Sequence, residues 1–333
     1  MVMRLGFVGV GHWAQKLATA FRECGAEVAA YDRNGSGDAP GFGQRMDWSS
    51  MVSLGSIDAI IACAPPDVTT EVALACAKAG KRCVATKPLM WSEWPEFAEW
   101  PMFKTMRERK TGAWATDAER SDPGVQERFT RKKNSELLYV DLWRLYSPAW
   151  LAMKEELRDK KIDRIDVAFC GNGPFRSFNG ALDYGPHALA FVFDLLGTTK
   201  LRQLDTDGID WLKADPRDCA KRGVLWVGRF EANGTEIEVR IGNGAKTSQR
   251  WVSPTLASDD DANFCSWSEP SDDHPRHQKH VFNVVVNGIG LPMMEHDKSY
   301  ALRRFCRAFM AGESSRTLEY SIAAQSVLER IVG

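Results

Sequence analysis

The sequence Gly9-Val10-Gly11-His12-Trp13-Ala14 indicates the fold of the N-terminal part of this 333-residue chain. It follows a β-branched and apolar run that begins at Arg4, and it precedes a stretch to Cys24 whose apolar residues have helical spacing. A G-x-G-x-x-A pattern between a strand and a helix is the fingerprint of a dinucleotide-binding turn. Gly9 permits the tight turn, and Gly11 has no side chain to block a pyrophosphate at the helix N-terminus. The pattern therefore predicts a strand-turn-helix unit that binds a dinucleotide.

The second strand ends in the residues that bear on the choice between NAD and NADP. Glu27-Val-Ala-Ala-Tyr31 is followed by Asp32, which lies 21 residues after Gly11. A carboxylate at this place accepts hydrogen bonds from the adenosine ribose hydroxyls, so Asp32 favours NAD. The neighbouring Arg33 leaves NADP as the alternative, because a guanidinium there can pair with the 2′-phosphate.

Alternating strands and helices continue the first domain. We expect further strands at 58–63, 81–85 and 137–143, and a helix at 68–79. Such alternation with short connections predicts a parallel sheet covered on both faces. The Trp-rich segment 91–136 has no clean period, and we expect a helix followed by a partly irregular insertion. Since a helix at 149–159 leads out of this domain, the first domain is predicted to span 1–148.

The second half of the chain has a different pattern. Strands without helices between most of them are expected at 165–170, 223–230, 235–241 and 281–286. Such a run predicts an antiparallel sheet in a second domain that spans 149–333. The final helices, 299–310 and 321–332, are candidates for packing back on the first domain. The predicted fold class is α/β: an N-terminal Rossmann domain and a C-terminal α+β domain with an open, mainly antiparallel sheet.

Composition excludes several classes of function. With 43 basic and 44 acidic residues the formal net charge is −1, so no overall positive field attracts nucleic acid or anionic lipid. The first apolar stretch is interrupted by glycines and is shorter than the roughly 20 residues of a membrane span. Eight cysteines without a CxxC pair indicate neither a zinc ribbon nor a disulfide scaffold, and they favour a reducing, cytoplasmic compartment.

Three segments of the sequence, taken in order, carry a resemblance to a known family. The first is the glycine fingerprint. The second begins with Ala64-Pro-Pro-Asp67 and ends with Thr86-Lys87-Pro88-Leu89, and the third is Gly180-Ala-Leu-Asp183-Tyr-Gly-Pro-His187. Together with the helix at 301–312, these segments resemble the Gfo/Idh/MocA family, which includes glucose-fructose oxidoreductase and inositol dehydrogenase. The likeness spans nearly the whole chain.

The resemblance implies an NAD(P)-dependent dehydrogenase or reductase that transfers a hydride between nicotinamide and a hydroxyl-bearing carbon. The implied substrate is a sugar, a polyol or a sugar derivative, and the implied assembly is a homodimer or a larger homo-oligomer. Thr86 stands where the family usually has Glu, and Thr69 stands where many members have His. The expected cofactor contacts are Gly9, Gly11, His12, Trp13, Asp32, Arg33, Ala64, Pro65, Thr86 and Lys87.

Three residues are the candidates for the chemistry. Lys87 follows a strand at the carboxyl edge of the parallel sheet, where ligands of such folds bind. Asp183 and His187 are four residues apart and share a face if they lie on a helix. We expect His187 to act as the base for the hydroxyl proton, Lys87 to stabilise the alkoxide and relay a proton, and Asp183 to orient the pair.

Several alternatives remain open at this stage. Arg144, Tyr146 and Tyr184 are candidate substrate contacts, but Arg144 and Tyr146 also suit a contact that links the domains. The histidines in 274–280 have the ligand type for a metal, although a polar turn explains them better and no metal is expected. Besides oxidation of a hydroxyl, the sequence is compatible with reduction of a C=N or C=C bond. It is also compatible with a dinucleotide-binding sensor that has no turnover.

Overall fold

The structure is a computed structural model that describes residues 2–33, 38–89, 137–171, 180–204, 212–213, 224–243, 248–257, 265–269, 283–286, 289–290 and 299–332. The Trp-rich segment 91–136 and the histidines in 274–280 lie outside these residues. The chain divides into two compact units. The first comprises Met1–Asp141 and Arg307–Leu318, and the second comprises Leu142–Cys306 and Glu319–Gly333. The first unit therefore ends before the boundary predicted at 148 and takes in part of the two final helices.

The first unit contains a parallel sheet of six strands in the order β3-β2-β1-β4-β5-β6. Its strands are β1 (Arg4–Val8), β2 (Glu27–Asp32), β3 (Gln44–Arg45), β4 (Ala59–Ala62), β5 (Arg82–Ala85) and β6 (Leu138–Val140). The helices between them are α1 (His12–Glu23), α2 (Trp48–Ser53) and α3 (Pro66–Lys78). In this strand order, the topological switch point at which a dinucleotide binds lies between β1 and β4.

The pattern of burial explains why these elements form. All four residues of β4 are buried, as expected for a parallel strand covered on both faces. Helix α1 buries Ala14, Leu17, Ala18 and Phe21, which form one stripe at helical spacing. Helix α3 begins with Pro66 in its first turn, where proline costs no hydrogen bond.

The second unit contains a nine-stranded sheet, in which β15-β14-β13-β12-β7-β11-β10-β8 run in order and β9 pairs with β10. Among the described strands of this second sheet, only β7 and β11 pair in parallel, so the sheet is mainly antiparallel, as predicted. Its strands are β7 (Ile162–Gly171), β8 (Arg202–Gln203), β9 (Leu212–Lys213), β10 (Val224–Ala232), β11 (Thr235–Asn243), β12 (Gln249–Leu256), β13 (Ser266–Glu269), β14 (Asn283–Val286) and β15 (Ile289–Gly290). The helices are α4 (Pro148–Leu157), α5 (Gly180–Leu196), α6 (Ser299–Ala311) and α7 (Thr317–Val332), of which the last two also contribute residues to the first unit.

The segment predicted as a strand at 137–143 is shorter in the structure. It forms β6 over three residues only, and a 3-10 helix, Trp143–Tyr146, follows it. Arg144 and Tyr146 therefore lie on this helical turn, directly before the proline that begins α4.

Helix α5 covers one face of the sheet in the second unit, where it packs on β7, β10 and β11. The alternating residues of β11 divide between the faces, so that Ile237, Val239 and Ile241 are buried while Glu236 and Arg240 are exposed. On the other face Glu238 forms ion pairs with Arg164, Arg229 and Arg240. The described part of this face is therefore charged.

Candidate functional site

The glycine-rich turn has the shape that the fingerprint predicts. Gly9 has a φ of 88°, and a Cβ built there would lie closer than 3.0 Å to the carbonyl oxygen of Cys63. Gly11 is the N-cap of α1, and a Cβ there would meet no heavy atom within 4 Å. Gly9 is therefore required by the fold itself. The absence of a side chain at Gly11 instead leaves free space in front of the helix N-terminus, which fits the pyrophosphate of a dinucleotide.

The carboxylate of Asp32 is held at the end of β2. Its Oδ2 accepts a hydrogen bond of 2.9 Å from the main-chain N–H of Trp48, at the start of α2. The guanidinium of Arg33 donates to the carbonyl of Asp38 at 3.3 Å, and Arg45 donates to the carbonyl of Arg33 at 3.3 Å. The end of β2 thus carries one carboxylate and has two guanidinium groups beside it.

Thr69 stands where many members of the family that the sequence resembles have a histidine, and it has a structural role. It is fully buried, its Oγ1 accepts from the N–H of Ala64 at 3.2 Å, and it donates to the carbonyl of Ala64 at 2.9 Å. These two bonds close the loop between β4 and α3, which contains Ala64 and Pro65. Thr69 therefore stabilises the position of a predicted cofactor-binding loop.

The ends of β4, β5 and β6 place three ionisable side chains at the carboxyl edge of the parallel sheet. Cys63 follows β4, Asp141 follows β6, and Lys87 follows Thr86 at the end of β5, where the hydroxyl of Thr86 donates to the carbonyl of Ala62 at 3.1 Å. Burial and the charge of Asp141 raise the pKa of the Cys63 thiol well above its ordinary value, so this cysteine stays protonated.

Asp141 and Cys63 were not among the predicted site residues. Asp141 is only 2% exposed, and it accepts a hydrogen bond from the indole of Trp13 on α1. Both residues lie inside the strands predicted at 58–63 and 137–143, and these strands end earlier in the structure. Their place at the carboxyl edge, where ligands of such folds bind, therefore became visible only in the structure.

In the second unit, α5 places Asp183 and His187 one turn apart, and both side chains are buried. The ring of His187 stacks on that of Phe169 in β7, with centroids 6.2 Å apart. Arg144, a predicted substrate contact, lies with its Nη1 3.2 Å from Nε2 of His187. The structure therefore brings together one predicted catalytic residue and one predicted substrate contact.

A buried ionic cluster surrounds Arg144. Its Nε donates to Oε2 of Glu269 at 2.7 Å, and Arg250 lies with Nη1 3.6 Å from Oε1 of the same carboxylate. Glu269 and Arg250 come from β13 and β12, two strands that the sequence analysis did not predict. This is why the cluster was missed.

The two predicted tyrosine contacts lie in different surroundings. The ring of Tyr146 packs edge-on against Phe305, with centroids 5.4 Å apart. The hydroxyl of Tyr184 lies against Gly171 at the end of β7, so closely that a Cβ at residue 171 would clash with it. Packing thus determines the position of both tyrosines.

The predicted site residues are divided between the two units. Gly9, Gly11, His12, Trp13, Asp32, Arg33, Ala64, Pro65, Thr86 and Lys87 belong to the first unit, and Arg144, Tyr146, Asp183, Tyr184 and His187 belong to the second. Joint action of Lys87 with Asp183 and His187 remains a prediction. Within the described residues, no group of three or more His, Cys, Asp or Glu side chains could hold a metal ion. No described helix is long and apolar enough to cross a bilayer.

Comparison with protein-family models and with curated proteins gave no match. Solved structures do match over the length of the chain. A protein from Magnetospirillum magnetotacticum that is assigned to the oxidoreductases is 19% identical, with a TM-score of 0.68 and 99% of each chain covered. Biliverdin reductase from Synechocystis, solved with biliverdin and NADP+, is 16% identical, with a TM-score of 0.62 and coverage of 99% of this chain and 98% of that one.

UDP-N-acetylglucosamine 3-dehydrogenase from Acidithiobacillus ferrooxidans is 14% identical, with a TM-score of 0.66. The match covers 100% of this chain and 97% of the dehydrogenase. These likenesses confirm the fold that the resemblance predicted: a Rossmann-type parallel sheet with helices, joined to a second, mainly antiparallel sheet. The chain has the fold of these oxidoreductases over its whole length.

Proposed function

We propose that this protein is an NAD(P)-dependent oxidoreductase that transfers a hydride between nicotinamide and a carbon that bears a hydroxyl group. The observation that carries the proposal is the open space at Gly11, directly in front of the N-terminus of α1. The first N–H groups of a helix have no intrahelical partner and bind phosphate oxygens when a glycine permits close approach. This helix N-terminus also follows β1, at the switch point between β1 and β4 where dinucleotides bind in such folds.

The residues of the first unit would hold the cofactor at its pyrophosphate and at its adenosine. The N–H groups at the start of α1 would bind the pyrophosphate, and Asp32 would accept hydrogen bonds from the ribose hydroxyls of the adenosine. A bound nicotinamide supplies a carbon that accepts or donates the hydride. Because the carboxylate of Asp32 would repel a 2′-phosphate, we propose NAD as the preferred cofactor and NADP as the alternative.

Lys87, His187 and Asp183 are the groups that we assign to the chemistry. An alcohol that loses a hydride must also lose its hydroxyl proton, and the oxygen carries negative charge as this happens. The ammonium group of Lys87 would stabilise this charge. We assign the proton step to Lys87 and His187 together, with Asp183 as the group that orients them.

A sugar, a polyol or a sugar derivative is the substrate class that we propose. UDP-N-acetylglucosamine 3-dehydrogenase, which shares the fold, supports this class. Biliverdin reductase shares the fold equally, and it supports the second candidate, reduction of a C=C or C=N bond. A homo-oligomeric state and a cytoplasmic location remain predictions from the resemblance and from the cysteine composition.

The test has a binding step and a turnover step. Calorimetry with NAD and NADP measures cofactor binding, and absorbance of the reduced nicotinamide then measures turnover of sugars, polyols and sugar nucleotides. Biliverdin serves as the probe for the alternative reaction. If the protein binds neither NAD nor NADP, the proposal is disproved. Binding without turnover of any compound in a broad panel would favour a dinucleotide sensor.

A further inference from the structure

The contact between Arg144 and His187 determines which ring nitrogen of the histidine carries the proton. Nη1 of Arg144 lies 3.2 Å from Nε2 of His187. A guanidinium has five N–H donors and no acceptor, so the imidazole nitrogen must be the acceptor in this hydrogen bond. A neutral imidazole that accepts at Nε2 carries its single proton on Nδ1.

Arg144 is itself held firmly in this orientation. Its Nε and Nη2 lie 2.7 and 3.5 Å from the two carboxylate oxygens of Glu269, whose side chain is only 1% exposed. The guanidinium carbon lies 4.6 Å from the ring centroid of Trp143, within the range of a cation–π interaction. Since the guanidinium is a rigid planar fork, placing one edge on Glu269 directs the remaining nitrogen, Nη1, towards His187.

We propose that Arg144 is the positioning residue of His187, with Glu269 as its anchor, and that it is not a substrate ligand. Arg144 keeps His187 neutral, with Nε2 as the acceptor and the single ring proton on Nδ1. A second proton on Nε2 would replace the hydrogen bond with a contact between two cations. In the proposed function, on which this step rests, His187 then orients the substrate oxygen and takes no proton itself. This narrows the proton step, assigned above to Lys87 and His187 together, to Lys87, which accepts the hydroxyl proton and passes one of its own to water.

The protonation of His187 can be read without a substrate. The chain contains six histidines, so we would label their side chains with 15N and record long-range 1H–15N correlations near neutral pH. The variant His187→Gln identifies the signals of His187 by their loss. We expect the unaltered protein to show a proton on Nδ1 of His187 and none on Nε2. A proton on Nε2, alone or in addition to one on Nδ1, would overturn the proposal.

Two variants test the contacts that link Glu269, Arg144 and His187. Arg144→Met removes the donor, and Glu269→Gln keeps the size of the anchor but removes its charge. Both should mix the two tautomers of His187. Arg158→Met is the matched control, because Arg158 follows the last residue of α4, its side chain is 67% exposed, and it pairs only with Glu155 among the described residues. If both folded variants leave the His187 signals as they are in the control, Arg144 does not position this residue.

Turnover separates a positioning role from substrate binding once a substrate is known. Misplacement of His187 in Arg144→Met should lower kcat by about tenfold to hundredfold, with KM changed little. A large rise in KM at an unchanged kcat would instead make Arg144 a substrate ligand and would overturn the proposal. The tautomer of His187 is measured without a substrate, so it does not depend on catalysis. If the protein shows the expected tautomer but turns over no substrate, the proposed function is contradicted and the positioning role is not.

Discussion

The indole N–H of Trp13 donates a hydrogen bond of 2.5 Å to Oδ2 of Asp141. The two residues are 128 positions apart in the sequence, and their bond joins the first turn of α1 to the end of β6. It connects α1, the helix that would face the pyrophosphate, to β6, the strand at one edge of the parallel sheet. Trp13, predicted as a cofactor contact, therefore also has a structural partner within its own unit.

Replacing Trp13 with Phe should destabilise the first unit. The variant keeps an aromatic ring but leaves the buried carboxylate of Asp141 without this donor, and a hydrogen bond to a charged group contributes about 1.5 to 3 kcal/mol. Chemical denaturation followed by far-UV circular dichroism measures the loss. Trp48→Phe is the control, because the hydrogen bond of Trp48 to Asp32 comes from its main chain. Equal stability of the two variants would contradict the role given to the indole.

The two glycines of the fingerprint should respond differently to substitution. Gly11→Val should fold, because φ is −65° and the space beside it is open, but its branched side chain should abolish dinucleotide binding. Gly9→Ala should impair folding, because φ is 88° and the added carbon meets the carbonyl of Cys63. Thermal unfolding and calorimetry with NAD distinguish the two effects. Normal NAD affinity in folded Gly11→Val would remove the basis of the cofactor assignment.

We expect NAD to bind at least as tightly as NADP. Asp32→Asn keeps an oxygen that can accept from the N–H of Trp48 and removes the charge that repels a 2′-phosphate, so NADP should gain about tenfold relative to NAD. Arg33→Ala should leave NAD affinity unchanged and weaken any NADP binding. Titration of all three proteins with both cofactors provides the comparison. A strong preference of the unaltered protein for NADP would show that Arg33 governs the adenosine end.

Lys87→Met should lower turnover by about 10² to 10³, because loss of a charge or donor at a developing oxyanion has an effect of this size. Cofactor affinity should change little, since other residues hold the phosphates and the adenosine. Lys78→Met, at an exposed position on α3, is the control. Absorbance of the reduced nicotinamide measures the rate, and near-normal turnover of Lys87→Met would exclude the lysine from the reaction.

Glu238 should make stability depend on pH in the acid range. Burial alone would raise its pKa, but hydrogen bonds from Arg240 and Arg229 and the charges of Arg240 and Arg164 outweigh burial, so the pKa lies below its usual 4.5. A carboxylate with a lowered pKa stabilises the folded state above its unfolded pKa, and this contribution disappears as pH falls through the folded value.

Glu238→Gln should therefore reduce the free energy of unfolding at pH 6, and its difference from the unaltered protein should shrink below about pH 4, where Glu becomes protonated. Denaturation series between pH 3 and pH 7 measure this difference. Glu231→Gln is the control, since Glu231 lies on the neighbouring strand and forms a more exposed pair with Arg202. A difference for Glu238→Gln that does not vary with pH would contradict the assignment.

Features that depend on local sequence were predictable. The turn at Gly9 and Gly11, the helical stripe of α1 and the apolar strand β4 each follow from neighbouring residues, because backbone sterics and apolar periodicity act over a few positions. The strand β12 was missed although it pairs with β7. It contains Pro254, which has no N–H to donate and is unusual inside a sheet.

The sequence by itself therefore determined the class of each unit, the dinucleotide-binding turn and the identity of Lys87, Asp183 and His187 as candidates. Only the tertiary structure decided what these candidates touch. Arg144 and Glu269 are 125 residues apart, and no local pattern predicts that their charges meet or that the pair controls the proton of His187. The partner of a buried charge depends on which strands and helices pack together. That packing is driven by burial of apolar surface, and because the hydrophobic effect is non-directional, the sequence does not specify which charged side chains meet.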